Sequence, residues 1–483
     1  MPIPNQTLTI KDPGLGLVEP ATSTPIIVGT SSAGTVNTML SIQSPIDAVT
    51  AFGQGPLVED ACTILGIAGG PVLMGRLTGS VAGAAGAVSQ VGSGPIVTVA
   101  GASYDSYDFK AVVTLGGILG TGKFKYALDA HNMIGPDGKA LDPTYSAELT
   151  IPSGGTYIIP NTNLTLTFAA GTYVLDTTYT FTATAPFYAA ADLDAFFDIY
   201  RLYPNQWRLI HAAGQIASAS SAATLAAGLG TEMATEQTAF RYARGFLSAG
   251  TDTATNVLTS FAAFEDRRVG VSYGRCARLS GKPFAGWGTP RRSVLAEITG
   301  RAVREQISTH LGRVASGSLT GVLAIDHDEN TAGVPLDVAR ISTLRTWPNR
   351  PGFYITRGRL SAPLGSDFKL THNGFVMDVA CKTVVNALQE FANKSFRTTS
   401  TGTIDPGDAK DIEVAVLRQL RAQLTEPINA EGKRGHVSAL NFTVDLTNNL
   451  QITSQINTEV AIRPLGYGEY FSTQIGFALE VGP

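Results

Sequence analysis

The apolar pattern of this 483-residue chain changes period at two places, and that change constrains the fold more than any other feature. From Pro25, PIIVGTSSAG reads as a buried strand running into a glycine turn. SPIDAVTAFG reads as a helix, with Ser44 as its N-cap and Pro45 at the first helical position. GPLVEDACTILGIAGG is a second helix ended by Gly69-Gly70, and PVLMGRLTG a second strand. Helical periodicity then vanishes over residues 81–186. Runs such as GPIVTVAG, YDFKAVVTL, GKFKYALD and TNLTLTFAAGTYV alternate apolar and polar positions between Gly, Pro and Asn turns, the mark of antiparallel strands. Helical segments return at Ala191–Tyr203, and RRVGVSYGR and GVLAID read as strands flanking the helix SVLAEITGRAVREQIST. The spacing therefore predicts one α/β domain, 25–80 plus 187–371, interrupted by a β-rich insertion at 81–186.

The last 110 residues read as a further α+β unit, 372–462. One helix places Val376, Ala380, Val384, Leu388 and Phe391 on a single face, and another runs from Asp405-Pro406 to Leu424 with Ile412, Val416, Leu420 and Leu424 at i+4 spacing. A hairpin follows. Leu440, Phe442, Val444 and Leu446 alternate with polar residues, Asn448-Asn449 is expected to turn, and Leu450, Ile452, Ile456, Val460 and Ile462 alternate back.

Both ends are extended segments that cannot fold alone. Residues 1–24 carry five prolines with Pro25, and Thr7, Leu8, Thr9 and Ile10 form a short alternating strand. In the terminal arm, 463–483, Phe471, Ile475, Phe477, Leu479 and Val481 share one face of a strand. Pro- and Gly-rich stretches at 11–20 and 463–468 would serve as hinges. The expected class is thus α/β plus β: an interrupted α/β core, an antiparallel β insertion, an α+β C-terminal domain and two extended arms.

Charged residues make up 15% of the chain and its net charge is −4, which leaves no electrostatic footprint for nucleic acid or an anionic membrane. No run approaches 18 apolar residues, so no membrane-spanning helix is expected, and the N-terminus lacks the pattern of a signal peptide. Cys62, Cys276 and Cys381 are far apart and form no CxxC pair, which fits three reduced thiols better than a disulfide framework or a zinc site.

Three motifs invite a catalytic or ligand reading. Gly117 to Lys123 matches G-x-x-x-x-G-K, but Phe124 stands where a magnesium-binding hydroxyl belongs, and a strand pattern follows instead of a helix. A hairpin turn is the better reading. Gly270-Val-Ser272-Tyr-Gly274 matches the nucleophile elbow, yet no convincing helix or partner His accompanies Ser272. Asp326-His327-Asp328-Glu329 gathers ligand atoms, although neighbours in one loop rarely converge on one ion, so a solvated acidic turn is preferred. No catalytic, metal or cofactor residue is assigned.

Several stretches together resemble contractile-phage tail sheath proteins. TPIIVGTSSAGTVNTMLSIQSPIDAVTAFGQGPLVEDACTILGIAGGPVLMGRL is similar to that family's opening α/β segment, with its D-A-x-x-x-F-G helix and G-G-P-V turn in the same order. TGKFKYALDA resembles a hairpin of its inserted domain, and WPNRPGFYITRGRLSAPLGSDFKLTHNGFVMDVA resembles the passage into its C-terminal domain. The resemblance implies a structural subunit, not an enzyme, that polymerises in stacked six-fold rings around a tail tube and contracts to drive the tube through a cell envelope. It implies as partners further copies of the chain, the tube protein, and baseplate and tail terminator proteins, in a virion tail or other contractile particle assembled in bacterial cytoplasm. It also implies that the arms, through Thr7–Ile10 and Phe471, Ile475, Phe477 and Leu479, add strands to the hairpin bearing Leu440, Phe442, Val444, Ile452 and Ile456 in other copies. Arg418, Arg421, Lys433 and Arg434, on and after the second C-terminal helix, are expected to include tube-facing contacts. The alternatives are a tail tube or capsid subunit, a particle-borne hydrolase using Ser272, and a surface-binding role for the insertion.

Overall fold

The computed structural model describes residues 24–201, 208–216, 218–282 and 288–469. Its centre is a seven-stranded sheet. The strand order is Ile341–Ser342, Val269–Ser272, Arg244–Ser248, Leu209–Ala212, Ile26–Gly29, Val72–Arg76 and Met39–Ile42. Every pairing is parallel except the last, where Met39–Ile42 runs antiparallel to Val72–Arg76. Segments on both sides of residues 81–186 thus build one sheet, with Ile26 registered against Leu73 on one flank and Ile210 on the other.

Helices cover both faces, which is why the inner strands are buried at every position. Alternating side chains divide between two cores. Ile27 packs with Phe52, Leu57, Val58 and Ala61 of the helices Pro45–Phe52 and Pro56–Ala68 and with Ala296 of Leu295–Arg304. Ile26 and Val28 pack with Phe196, Phe197, Leu225 and Leu229 from the helices Ala190–Tyr200 and Ala219–Thr238. Local signals set the ends of these elements. Ser44 Oγ accepts from the Asp47 amide (3.3 Å) ahead of Pro45, and Gly69 stops the second helix at φ 67°.

Residues 81–186 form two antiparallel sheets around an aromatic core. Tyr107–Leu115, Lys123–Ala127 and Thr178–Thr184 lead one sheet, and Leu164–Phe168 centres the other. Phe109 stacks on Phe181 with ring centroids 4.4 Å apart, and Phe124, Phe168 and Tyr173 continue the contact. The base of this unit is fastened to the α/β core by buried and half-buried charge. Asp105 meets Lys282 (3.2 Å), Asp108 meets Arg291 (2.7 Å), and Asp129 accepts from the Thr289 amide (2.8 Å).

The helices Thr371–Gln389 and Pro406–Leu424 pack together, with Val376, Ala380, Ile412, Val416, Leu420 and Leu424 buried between them and the two-stranded sheet Ala439–Val444/Thr458–Arg463. Here the structure corrects one local expectation. Asn448-Asn449 does not make a hairpin turn, and Ile452 and Ile456 are not strand residues. Leu450–Thr453 is a helical turn, Asn449 Oδ1 caps it from the Ile452 amide (3.0 Å), and Asn448 Nδ2 donates to the Gln455 carbonyl (2.6 Å). These short side-chain-to-backbone bonds outcompete a β ladder. Ile452 is left 82% exposed, and Ile456 precedes the returning strand.

Candidate assembly surface

The sheet Ala439–Val444/Thr458–Arg463 is unfinished. Its six paired positions run from Ala439↔Arg463 to Val444↔Thr458, and among the described residues neither strand has a second neighbour. Isolated two-stranded sheets are marginal in water, and open edges invite pairing with another chain. Phe442 and Val444 point into the core, whereas Leu440 is half-buried. Beside Val460 and Ile462 an open apolar slot of about 170 Å³ is floored by Ala380, Cys381, Val384 and Val385 of the Thr371–Gln389 helix. At the other end of that helix, Leu388, Phe391, Phe396, Leu450 and Ile456 line a wider opening of about 460 Å³. A strand added along Thr458–Arg463 would lie over this floor. The candidate arm residues Thr7, Leu8, Thr9, Ile10, Phe471, Ile475, Phe477 and Leu479 fall outside the described residues.

Arg418, Arg421, Lys433 and Arg434 are all exposed. Arg418 and Arg421 sit on the solvent side of a helix whose opposite side is buried through Ile412, Val416 and Leu420, while Lys433 and Arg434 lie in the turn after it. At the helix start Asp405 caps the Gly407 amide (2.9 Å), and Asp408 holds Arg397.

The stretch read as a hinge at 463–468 is anchored. Ser438 Oγ donates to the Pro464 carbonyl (2.9 Å), and the Tyr467 hydroxyl donates to the Ser308 carbonyl. The Tyr467 ring lies 4.4 Å from that of His372. Glu469 meets His310 (3.4 Å) and Arg357 (3.1 Å). Burial pushes His372 down to about 3, with His310 adding to the shift, and lowers His310 against the opposing pull of Glu469. This tether carried no legible signal, because its partners other than Ser438 are 95 or more positions away in sequence.

The three motifs resolve into local structure. Gly117 to Gly122 connects the paired strands Tyr107–Leu115 and Lys123–Ala127, Lys123 bonds Glu148 (2.7 Å), and Phe124 is buried. No helix N-terminus is present there to hold phosphate. Ser272 ends a parallel strand but is 1% exposed; its Oγ contacts the Leu247 carbonyl (3.4 Å), and the chain continues into the strand Arg275–Arg278. Asp326 binds Arg275, Asp328 takes the Thr346 amide, and Glu329 takes His327 together with the Leu336 and Asp337 amides. Those four residues therefore fasten a loop, and among the described residues no group of three His, Cys, Asp or Glu side chains could hold a metal ion. No described helix is long and apolar enough to cross a membrane.

This arrangement has the fold of subunits from contractile injection systems. A chain of the anti-feeding prophage (AFP) baseplate aligns over 99% of this chain and 100% of its own length, at TM-score 0.53 and 12% identity. The AFP helical sheath in its contracted state aligns over 99% of both chains, at TM-score 0.52 and 11% identity. The sheath complex of an extracellular contractile injection system, PVC, also contracted, covers 99% of both at TM-score 0.52 and 10% identity. The chain itself belongs to the DUF2586 family, whose N-terminal domain model matches residues 4–359. No curated protein matches the sequence.

Proposed function

We propose that this chain is a structural subunit of a contractile sheath, linked to neighbouring copies by strand exchange. One observation carries the reading: the two-stranded C-terminal sheet with open edges beside an apolar floor, in a chain whose ends hold strand-patterned segments. Strand addition would satisfy the open backbone groups and cover the floor. Because such linkage is main-chain and side-to-side, it survives rigid rotation of one subunit against the next. A head-to-tail contact that does not close generates a helix.

In this reading the interrupted α/β core, the 81–186 unit and the 372–462 unit are separate domains of one subunit, with 1–24 and 463–483 as arms. The subunits stack as six-fold rings around a tube, and contraction drives the tube through an envelope. The role is mechanical, not enzymatic. Partners are further copies, the tube protein, and proteins that start and stop the sleeve, in a phage tail or a related particle built in bacterial cytoplasm. The anchoring of residues 464–469 holds the start of the C-terminal arm against the subunit that bears it.

Negative-stain microscopy of the purified protein tests the class: long, striated hollow sleeves are expected. Removal of residues 1–20 should leave folded subunits that no longer form connected sleeves. Normally linked sleeves from the truncated chain would refute the arm's role.

A further inference from the structure

Between the Pro56–Ala68 helix, the base of the 81–186 unit and the stretch after the strand Arg275–Arg278 lies a buried group of four charges. The Lys282 side chain is completely inaccessible, with its Nζ 3.2 Å from Asp105 Oδ2 and 3.3 Å from Glu59 Oε2. Arg292 Nε lies 3.0 Å from the same Glu59 oxygen, and its Nη2 is 3.7 Å from Asp105 Oδ1. Asp105 Oδ1 also accepts from the Ser106 amide (2.8 Å). Arg278, paired with Asp60 and Glu297, adds positive charge nearby.

We propose that Lys282 and Asp105 join in a self-catalysed isopeptide bond, with Glu59 as the proton carrier. An amine and a carboxyl held in contact away from water have the proximity that makes intramolecular condensation fast, with effective concentrations of up to about 10⁵–10⁸ M. Dry surroundings also protect the product from hydrolysis.

The reaction balances without any co-reactant. Lys282 first passes a proton to Asp105, which removes two buried charges and leaves Glu59 and Arg292 as an ion pair. The neutral amine then attacks Asp105 Cγ. Glu59 accepts the proton released from nitrogen and returns it to the departing hydroxyl. One amide bond forms, one C–O bond breaks, one water leaves, and Glu59 ends as it began. A cavity of about 10 Å³ bordered by Glu59, Asp105, Ser106 and Arg292 adjoins the site, close to the space one water needs.

The electrostatics divide the two carboxyls in the required sense. Burial, helped by neighbouring Glu59, raises Asp105 against the pull of Arg292 and Lys282. Burial alone would raise Glu59 too, but Arg292, Lys282 and Arg278 hold it well below the usual range. One acid thus favours its protonated form while the other remains a base. The bond would staple the insertion to the α/β core, so that the two move as one body.

Intact mass spectrometry of the denatured full-length protein decides the matter. The wild type should be lighter than its sequence mass by one water, and digestion should yield a branched peptide joining the segments around residues 105 and 282. Lys282→Arg should restore the full mass. Glu59→Gln, which keeps both reacting groups, should be unlinked or link far more slowly. Wild-type protein at full mass, with unbranched peptides around Lys282, would overturn the proposal, and a Glu59→Gln variant linked as fast as wild type would remove Glu59 from it.

Discussion

A buried ion pair fastens the α/β core to the C-terminal helices, and its removal has a calculable cost. Arg244, on a strand of the central sheet, grips Asp378 of the Thr371–Gln389 helix through Nε (2.7 Å) and Nη2 (2.5 Å). The same guanidinium donates to the Gly374 carbonyl (3.0 Å) and the Arg267 carbonyl (2.6 Å). Both side chains are under a tenth exposed. Asp378→Asn keeps the volume and one acceptor but strands a charge in a poorly solvated site. Breaking a buried pair from one side costs about 3–5 kcal/mol. Because two carbonyl contacts survive, the lower end, about 3 kcal/mol, is expected here. Arg244→Met should cost a similar amount, and the double variant Arg244→Met/Asp378→Leu should cost less than the sum by about 2 kcal/mol. Equilibrium urea unfolding of the unassembled subunit measures the three values. Hydrogen exchange over residues 371–389 shows whether the loss is local to the joint. Additive costs, with coupling below about 0.5 kcal/mol, would refute the argument and mean that the joint is solvated or open.

Three further outcomes follow from the geometry. His372 has a folded pKa held below its ordinary value, so the unfolded chain binds the extra proton and stability falls as pH drops below about 6.5. His372→Phe should flatten that slope by about 3 kcal/mol between pH 7 and pH 4 in denaturant titrations, and an unchanged slope would contradict the burial argument. Ser272→Ala should change stability by less than about 1 kcal/mol, since only a long contact to a carbonyl is lost, and should abolish no activity of the particle. Arg418→Glu with Arg421→Glu should leave the fold and sleeve-only polymers intact while weakening co-assembly with tubes in a sedimentation assay. Undiminished tube binding would remove these residues from the contact.

Much of the local structure was legible because it depends on neighbours in the chain. Ser44-Pro45 starts a helix wherever it stands, Gly69 ends one, and the i+4 row Ile412, Val416, Leu420 and Leu424 buries the same face in any packing. The weakness of the three catalytic motifs was also legible, since Phe124 cannot ligand magnesium and strand patterns follow where helices are required. The reversal near Asn448-Asn449 was not legible, because alternation alone cannot register that two asparagine side chains satisfy the backbone and wind Leu450–Thr453 into a helical turn.

Only the tertiary structure could bring together groups that are distant in the chain. Glu59, Asp105, Lys282 and Arg292 come from four separate segments and look like ordinary surface charges until the insertion folds back on the core. The same holds for Arg244 with Asp378 and for Tyr467 on His372. Short-range order follows from steric and hydrogen-bonding preferences within a few residues, which a sequence displays directly. Buried charge pairs, open strand edges and the floor beneath them depend on which distant surfaces exclude water from one another, and that is settled only when the whole chain is packed.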